Sequence, residues 1–172
     1  MSEHIDRRRF LKSAAGSTVV LASIPMLGVP ADHSLASGCR VFSVAQAATV
    51  EAIALQFVPA DNDPGAKEAG VVFFIDGLLA GRFGKFFKDC YERGLSTVDD
   101  VSKKRFSGNF VALDHDQQFT ILKALQSGEA AGEAGCDFFN LILRHTMEGY
   151  YGDPEHGGNR DNVSWKMIGF EG

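Results

Sequence analysis

Apolar residues recur at helical spacing through the middle of the chain, and no stretch of useful length alternates apolar and polar residues. In the clearest segment the apolar positions follow the i, i+3, i+4, i+7 pattern of an amphipathic helix. These positions are Val50, Ile53, Ala54 and Phe57. There is no internal repeat. The sequence therefore predicts an all-α fold: a small helical domain of about four main helices, followed by a long irregular C-terminal arm.

Local signals mark the ends of the first two predicted helices. Ser43 and Gln46 have the spacing of a capping box, in which each side chain bonds the backbone of the other. Pro59 ends the first helix, because proline cannot continue one. A second helix is predicted from about Lys67, with a weak, glycine-containing middle, and Gly94 is interpreted as its C-terminal stop.

The remaining helices follow from the same signals. Residues 95–110 are predicted to be irregular or a short helix. Asp114 and Gln117 form a second capping box at the start of a third helix, which Gly128 ends. The last helix is expected over about residues 133–148. It is apolar over a wide arc, which is typical of a central helix.

The C-terminal arm begins near Gly149 and is rich in aromatic residues, glycine and asparagine. Aromatic side chains and arginine are the residue types that anchor protein interfaces. Two interpretations stay open and are compatible: the arm binds a partner, or it folds back on its own helices. The candidate partner-binding residues are Tyr150, Tyr151, Asn159, Arg160, Trp165 and Phe170.

The N-terminus has the basic, then apolar, then small-residue order of an export signal. Its basic run resembles a twin-arginine translocation signal, which exports folded cargo, although Asp6 stands where such signals usually have Ser or Thr. The matching residues are Arg7, Arg8, Phe10, Leu11 and Lys12. We expect an export signal and spacer at residues 1–36 and a helical domain at residues 37–172. Lipidation at Cys39 is weakly supported, because the preceding Leu35 is one position too far away.

Composition excludes several functional classes. The chain has 172 residues and a formal net charge of −5. An acidic chain lacks the basic footprint that nucleic-acid binding requires, so no nucleic-acid partner is expected. Neither a heme-attachment motif nor a phosphate-binding glycine loop occurs.

No side-chain cluster predicts catalysis or metal binding. His145 is interpreted as a core histidine with one hydrogen-bond partner, and His115 as a solvated neighbour of a helix cap. Cys90 and Cys136 both lie on apolar stripes. In an oxidising compartment they can pair with each other or with a partner chain, and two buried thiols are an equal alternative. We predict no catalytic, cofactor-binding or metal site in this chain.

Several short motifs nevertheless resemble the small subunit (subunit 3, or gamma) of membrane-bound gluconate 2-dehydrogenase. The resemblance covers about residues 42–172, and the closing run is its most specific part. The motifs are Pro59-Ala60-Asp61, Pro64-Gly65-Ala66, Glu68-Ala69-Gly70-Val71, Phe74-Ile75-Asp76, Asp153-Pro154, Gly157-Gly158-Asn159 and Trp165-Lys166-x-Ile168-Gly169.

The resemblance implies a complex that composition alone does not show. In that family a large FAD-containing subunit of the glucose–methanol–choline type oxidises a sugar or sugar acid. A multiheme cytochrome c subunit passes the electrons to the quinone pool. The small subunit holds no redox centre; it helps the flavoprotein mature and pass through the twin-arginine translocase. The complex is periplasmic and associated with the inner membrane, and the family does not fix the substrate.

The sequence thus favours a non-catalytic subunit that contacts the flavoprotein through the arm and the Pro59–Gly70 loop. On this hypothesis, replacing Trp165 or Arg160 by alanine weakens the complex without unfolding the domain. The alternatives are a stand-alone periplasmic enzyme or metal-binding helical domain, and a transient export chaperone.

Overall fold

The computed structural model describes residues 38–130 and 137–171, and within these ranges it contains six α-helices and no strand. This confirms the predicted all-α class. Three short 3-10 helices, at Phe110–Ala112, Pro154–His156 and Arg160–Asn162, join the longer elements. The α-helices are α1 (Val44–Phe57), α2 (Val71–Ala80), α3 (Lys85–Phe106), α4 (His115–Gln126), α5 (Phe138–Tyr151) and α6 (Val163–Ile168).

Both predicted capping boxes are present. At the start of α1 the Ser43 hydroxyl accepts the Gln46 N–H, and the Gln46 side chain accepts the Ser43 N–H. Asp114 and Gln117 make the same reciprocal pair at the start of α4. Each box satisfies two backbone donors that a helix leaves without intrahelical partners, which fixes where the helix begins. α1 ends at Phe57, just ahead of Pro59, as predicted.

The predicted second helix is instead two helices joined by a tight corner. α2 ends at Ala80 and α3 begins at Lys85. A Cβ on Gly84 would lie 1.8 Å from the Leu79 carbonyl oxygen, so the corner requires glycine at this position. The interpretation of Gly94 as a helix stop was wrong, because α3 passes through it and continues to Phe106. Most of residues 95–110, which were expected to be irregular or a short helix, therefore belongs to the long helix α3.

α5 is the central helix, as its wide apolar arc predicted. It packs against α1, α2, α3, α4 and α6. Phe138, Phe139 and Ile142 from α5 are buried, with Ile53 of α1 and Ile75 of α2 among the fully buried side chains. α5 begins at Phe138 after the Asp137 cap; the residues just before Asp137, where an earlier start was predicted, lie outside the described ranges.

Among the described residues ahead of the C-terminal arm, three phenylalanines are exposed although phenylalanine is usually a core residue. They are Phe83, Phe86 and Phe119. Phe83 lies in the α2–α3 corner and Phe86 in the first turn of α3, so the kink turns both away from the core. Phe119 packs under the Lys123 ammonium, 5.8 Å from the ring centroid, while Ile121 and Leu122 occupy the buried side of α4.

A buried carboxylate attaches the segment before α1 to the domain. Asp76 on α2 accepts three backbone N–H groups, from Arg40 at 2.6 Å and from Val41 and Phe42 at 2.9 Å each. Asp76 is almost fully buried. A buried charge must be compensated, and three convergent amides provide that compensation. Residues 40–42 are thereby held against α2.

The C-terminal arm folds back on the helical domain. The prediction that Tyr150 and Tyr151 are not helical was wrong, since both complete α5. After them come two 3-10 helices and α6, so the arm is more regular than expected. The Asn159 N–H donates to the Gly149 carbonyl at 2.8 Å. Across residues 38–130 and 137–171, no helix is both long and apolar enough to span a membrane.

Candidate protein–protein interface

The arm and the loop between α1 and α2 are joined by two long-range hydrogen bonds. The Tyr150 hydroxyl donates to the Pro64 carbonyl at 2.6 Å. The Arg160 N–H donates to the Ala69 carbonyl at 3.0 Å. The two segments singled out from the sequence therefore form one continuous part of the molecule, although about ninety residues separate them in the chain.

Tyr150 is an internal support of this joint. It is buried, and its hydroxyl also lies 3.9 Å from the Met167 sulfur. Burial raises its pKa, and Tyr151 and the carboxylates of Asp63 and Asp61 add to the rise. The hydroxyl therefore stays protonated and keeps donating to Pro64.

Asn159 holds the arm in shape. It is fully buried and adopts a left-handed backbone conformation with φ of 42°. Its side-chain oxygen accepts the Ser164 N–H at 3.0 Å and the Ser164 hydroxyl at 2.8 Å. Its side-chain nitrogen donates to the Gly152 carbonyl at 3.0 Å. One side chain thus connects the end of α5 to the start of α6, and asparagine suits both the bonding and the backbone conformation.

Arg160 is an exposed cation beside the loop. Its guanidinium carbon lies 5.2 Å from the centroid of the Phe73 ring, within the range of a cation–π contact. It also faces Gly70, where a Cβ would come within 3.2 Å of the guanidinium and where φ is 70°. The contact sets the arginine over α2 while leaving it open to a partner.

Five apolar side chains of the arm are at least partly exposed, and we call them together the arm surface: Tyr151, Trp165, Met167, Ile168 and Phe170. The Trp165 indole N–H donates to the Tyr151 carbonyl at 3.0 Å, and the Trp165 and Phe170 rings pack edge to face at 4.9 Å. Phe170 is 53% exposed and Ile168 is 62% exposed.

An open, mainly apolar depression continues the arm surface across Tyr151. It is lined by Phe74, Met147, Glu148, Tyr151, Gly152 and His156. Exposed apolar surface with a few polar groups at its edge is typical of protein interaction sites.

One family model matches this chain, described as gluconate 2-dehydrogenase subunit 3, and it covers residues 44–172. The chain belongs to the gluconate 2-dehydrogenase subunit 3 family. Searches of curated proteins and of solved structures returned no match. The matched region includes all six helices and the whole described arm, so the resemblance noted from the short motifs is confirmed.

The structure divides the six arm residues predicted for partner binding in this family member. Tyr150 and Asn159 are internal supports of the arm. The side chains of the other four are exposed or partly exposed to solvent: Tyr151, Arg160, Trp165 and Phe170. Their contact with a partner stays a prediction. The sequence did not single out Met167 and Ile168, whose side chains are also exposed.

The two histidines behave as the sequence suggested. His145 is buried in the core, and its Nδ1 lies 3.0 Å from the Tyr91 hydroxyl. Phe87 packs edge to face on the same ring at 5.1 Å. Burial, with a smaller contribution from Arg144, lowers the pKa of His145 to about 4. His115 is largely exposed beside Asp116.

The cysteines are in different states. Cys90 is disulfide-bonded. Cys136 lies outside the described residues, so its pairing with Cys90 stays a prediction. Cys39 is a free thiol, and burial together with the nearby Asp76 carboxylate raises its pKa to about 11, which disfavours the reactive thiolate.

In the described part of the chain, no group of three or more His, Cys, Asp or Glu side chains is arranged to hold a metal ion. The twin-arginine residues Arg7, Arg8, Phe10, Leu11 and Lys12 lie outside the described ranges.

Proposed function

We propose that this chain is the non-catalytic small subunit of an exported, FAD-dependent sugar or sugar-acid dehydrogenase. The observation that carries the proposal is the family match, which spans every described helix and names a dehydrogenase subunit. The arm surface supports it, because it combines exposed apolar and aromatic side chains with the exposed Arg160 on the same arm. We propose that the flavoprotein subunit covers this surface.

The arm is suited to binding because it is already ordered. Asn159 and the Tyr150–Pro64 bond fix its backbone before any partner arrives. The Trp165 ring is likewise held by its bond to the Tyr151 carbonyl. Ordering a loop and its side chains opposes association, so an arm fixed in advance loses less free energy on binding.

The remaining roles are what the family resemblance and the N-terminal basic run imply. FAD and heme c belong to the partner subunits, the flavoprotein and a multiheme cytochrome c, and this chain holds no cofactor. The twin-arginine run supports export of the folded complex through the translocase to the periplasm, where it associates with the inner membrane. The small subunit then assists maturation, stability and export of the flavoprotein.

Gentle purification of the tagged full chain from the native cell tests the complex. We expect a yellow flavoprotein and a heme protein to accompany it, with dye-linked oxidation of gluconate or a related sugar. A panel of sugars and sugar acids then identifies the substrate. If the chain is isolated alone and colourless, the stable-complex proposal fails and a transient export chaperone becomes the better explanation.

A paired substitution tests the arm surface. Ile168→Ser with Phe170→Ser removes two exposed apolar contacts, and we expect at least a tenfold loss of co-purified flavoprotein, since hot-spot residues contribute about 2 kcal/mol or more. Phe119→Ser, on the exposed side of α4, is the matched control and should leave the yield unchanged. Thermal unfolding should be similar in all three proteins. Equal flavoprotein yield with both variants would exclude the arm surface as the docking site.

A further inference from the structure

The corner between α2 and α3 carries two aromatic side chains that the core does not use. Phe83 is 58% exposed, and Phe86, at 67%, is the most exposed large apolar side chain of the described residues. The corner is tight because Gly84 packs against the Leu79 carbonyl. The fold therefore projects both rings into solvent at considerable hydrophobic cost.

Each ring is accompanied by a cation. The Arg82 guanidinium carbon lies 4.6 Å from the Phe83 centroid, and the Lys85 ammonium lies 5.2 Å from the Phe86 centroid. Neither cation takes part in an ion pair with any residue that the structure describes. We call Arg82, Phe83, Lys85 and Phe86 the basic aromatic corner.

The chain segment that forms this corner, between Asp76 and Asp89, is basic although the chain as a whole is acidic. Residues 77–88 contain Arg82, Lys85 and Lys88 and no acidic residue, whereas the chain carries a net charge of −5. The first turn of α3 also lacks an acidic residue. Cations near a helix N-terminus are disfavoured by the helix dipole. An anionic surface outside the chain would neutralise these cations and offset their unfavourable interaction with the helix dipole.

We propose that the basic aromatic corner binds the surface of an anionic phospholipid membrane. Paired aromatic and basic side chains suit this surface, because rings enter the boundary of the acyl chains while cations reach the phosphates above them. Each ring of the corner has a cation next to it, so ring and cation are close enough to contact the acyl-chain boundary and the phosphates of the same membrane surface. The proposal does not depend on the arm surface or its partner.

Vesicle co-sedimentation of the full chain tests the proposal. The probes are phosphatidylcholine vesicles with and without phosphatidylglycerol, at low and high salt. For Arg82→Gln with Lys85→Gln we expect binding to the anionic vesicles to weaken about 25-fold, at about fivefold for each cation. Phe83→Ser with Phe86→Ser should also weaken it. High salt should weaken the binding of the wild type to anionic vesicles, and should therefore reduce the difference in binding between the wild type and the Arg82/Lys85 variant.

Matched controls lie on the same domain. Lys103→Gln with Lys104→Gln removes the same charge from the last turn of α3, and Phe119→Ser removes another exposed ring beside a lysine. Both should bind within twofold of wild type, and any contribution of the N-terminal segment is common to every protein. Equal weakening in the Lys103/Lys104 variant would show unspecific attraction and overturn the proposal. Unchanged vesicle binding with loss of co-purified flavoprotein would overturn it too, and assign the corner to a protein contact.

Discussion

At the scale of single residues, His145 is a buried base whose protonation opposes folding. Its pKa is about 4 in the folded chain and near 6.5 when unfolded, because burial disfavours the imidazolium and Arg144 adds repulsion. Between these values the unfolded state binds more protons. Stability is therefore unaffected above about pH 6.5 and falls as the pH drops toward 4, by at most about 1.4 kcal/mol per pH unit.

Urea unfolding at about pH 7 and about pH 5 measures this effect. In His145→Gln the part of the pH dependence that His145 causes should disappear, even if the variant is less stable at both pH values. His115→Gln is the control, because His115 is exposed, and it should keep the wild-type slope. A wild-type slope in the His145 variant would show that other groups cause the acid sensitivity.

Asp76 is the second residue with a testable role. In Asp76→Asn the side-chain amide would face a backbone N–H, so at least one of the three amide bonds to residues 40–42 is lost. We expect a loss of about 3 kcal/mol, because these bonds are charge-assisted and buried. Asp100→Asn, on the exposed side of α3, should change stability by less than about 0.5 kcal/mol. Denaturant unfolding of both variants distinguishes them, and an equal, small change would refute the role given to Asp76.

At the scale of elements, two helical glycines should respond oppositely to alanine. Gly94 lies inside α3, and a Cβ there would come within 2.1 Å of the Phe138 ring. Gly94→Ala should destabilise the domain by about 1–3 kcal/mol through overpacking, despite its better helix propensity. Gly77 on α2 has nothing within 4 Å, so Gly77→Ala should stabilise by about 0.5–1 kcal/mol. Thermal unfolding of each variant beside the wild type gives the sign of each change in stability. Stabilisation by both substitutions would mean that the Phe138 ring moves aside at little energetic cost.

Comparison of Gly94 with the two capping boxes shows which helix boundaries a sequence can predict. The capping boxes at Ser43 and Asp114 were predictable because both partners lie within four residues. The end of α3 was not predictable. Gly94 is not a helix stop; it is a position inside α3 where the Phe138 ring of α5, forty-four residues later, leaves no room for a Cβ. The corner at Gly84 was missed for a similar reason: its need for glycine comes from the Leu79 carbonyl, and spacing alone cannot show that contact.

The candidate interface was predictable in part. Composition identified the aromatic arm, but it could not separate Tyr150 and Asn159, which support the arm, from the residues that face solvent. That division depends on long-range bonds such as the one from Tyr150 to Pro64. The role of Asp76 was likewise hidden, because its partners lie 34 to 36 residues earlier in the chain.

At the scale of the whole molecule, the features so far have separate functions. The core and the Asp76 anchor stabilise the domain, the arm surface is proposed to bind the flavoprotein, and the basic aromatic corner is proposed to bind the membrane. A chain with two such surfaces can hold an enzyme near a lipid bilayer without catalysing anything. What these surfaces do not explain is how a flavoprotein reaches that bilayer, which the N-terminal residues are proposed to determine.

If the proposed twin-arginine route operates, the small subunit determines the location of its partner. Arg7→Lys with Arg8→Lys keeps the charge but removes the planar guanidinium pair, and lysine does not reproduce arginine's hydrogen-bonding geometry. We expect dehydrogenase activity to move from the periplasmic side of the inner membrane to the cytoplasm, with the complex itself intact. Arg9→Lys is the matched control, since residue 9 is the variable position of the proposed signal, and it should leave activity in the periplasm. Periplasmic activity in the double variant would show that the flavoprotein is exported independently of this chain.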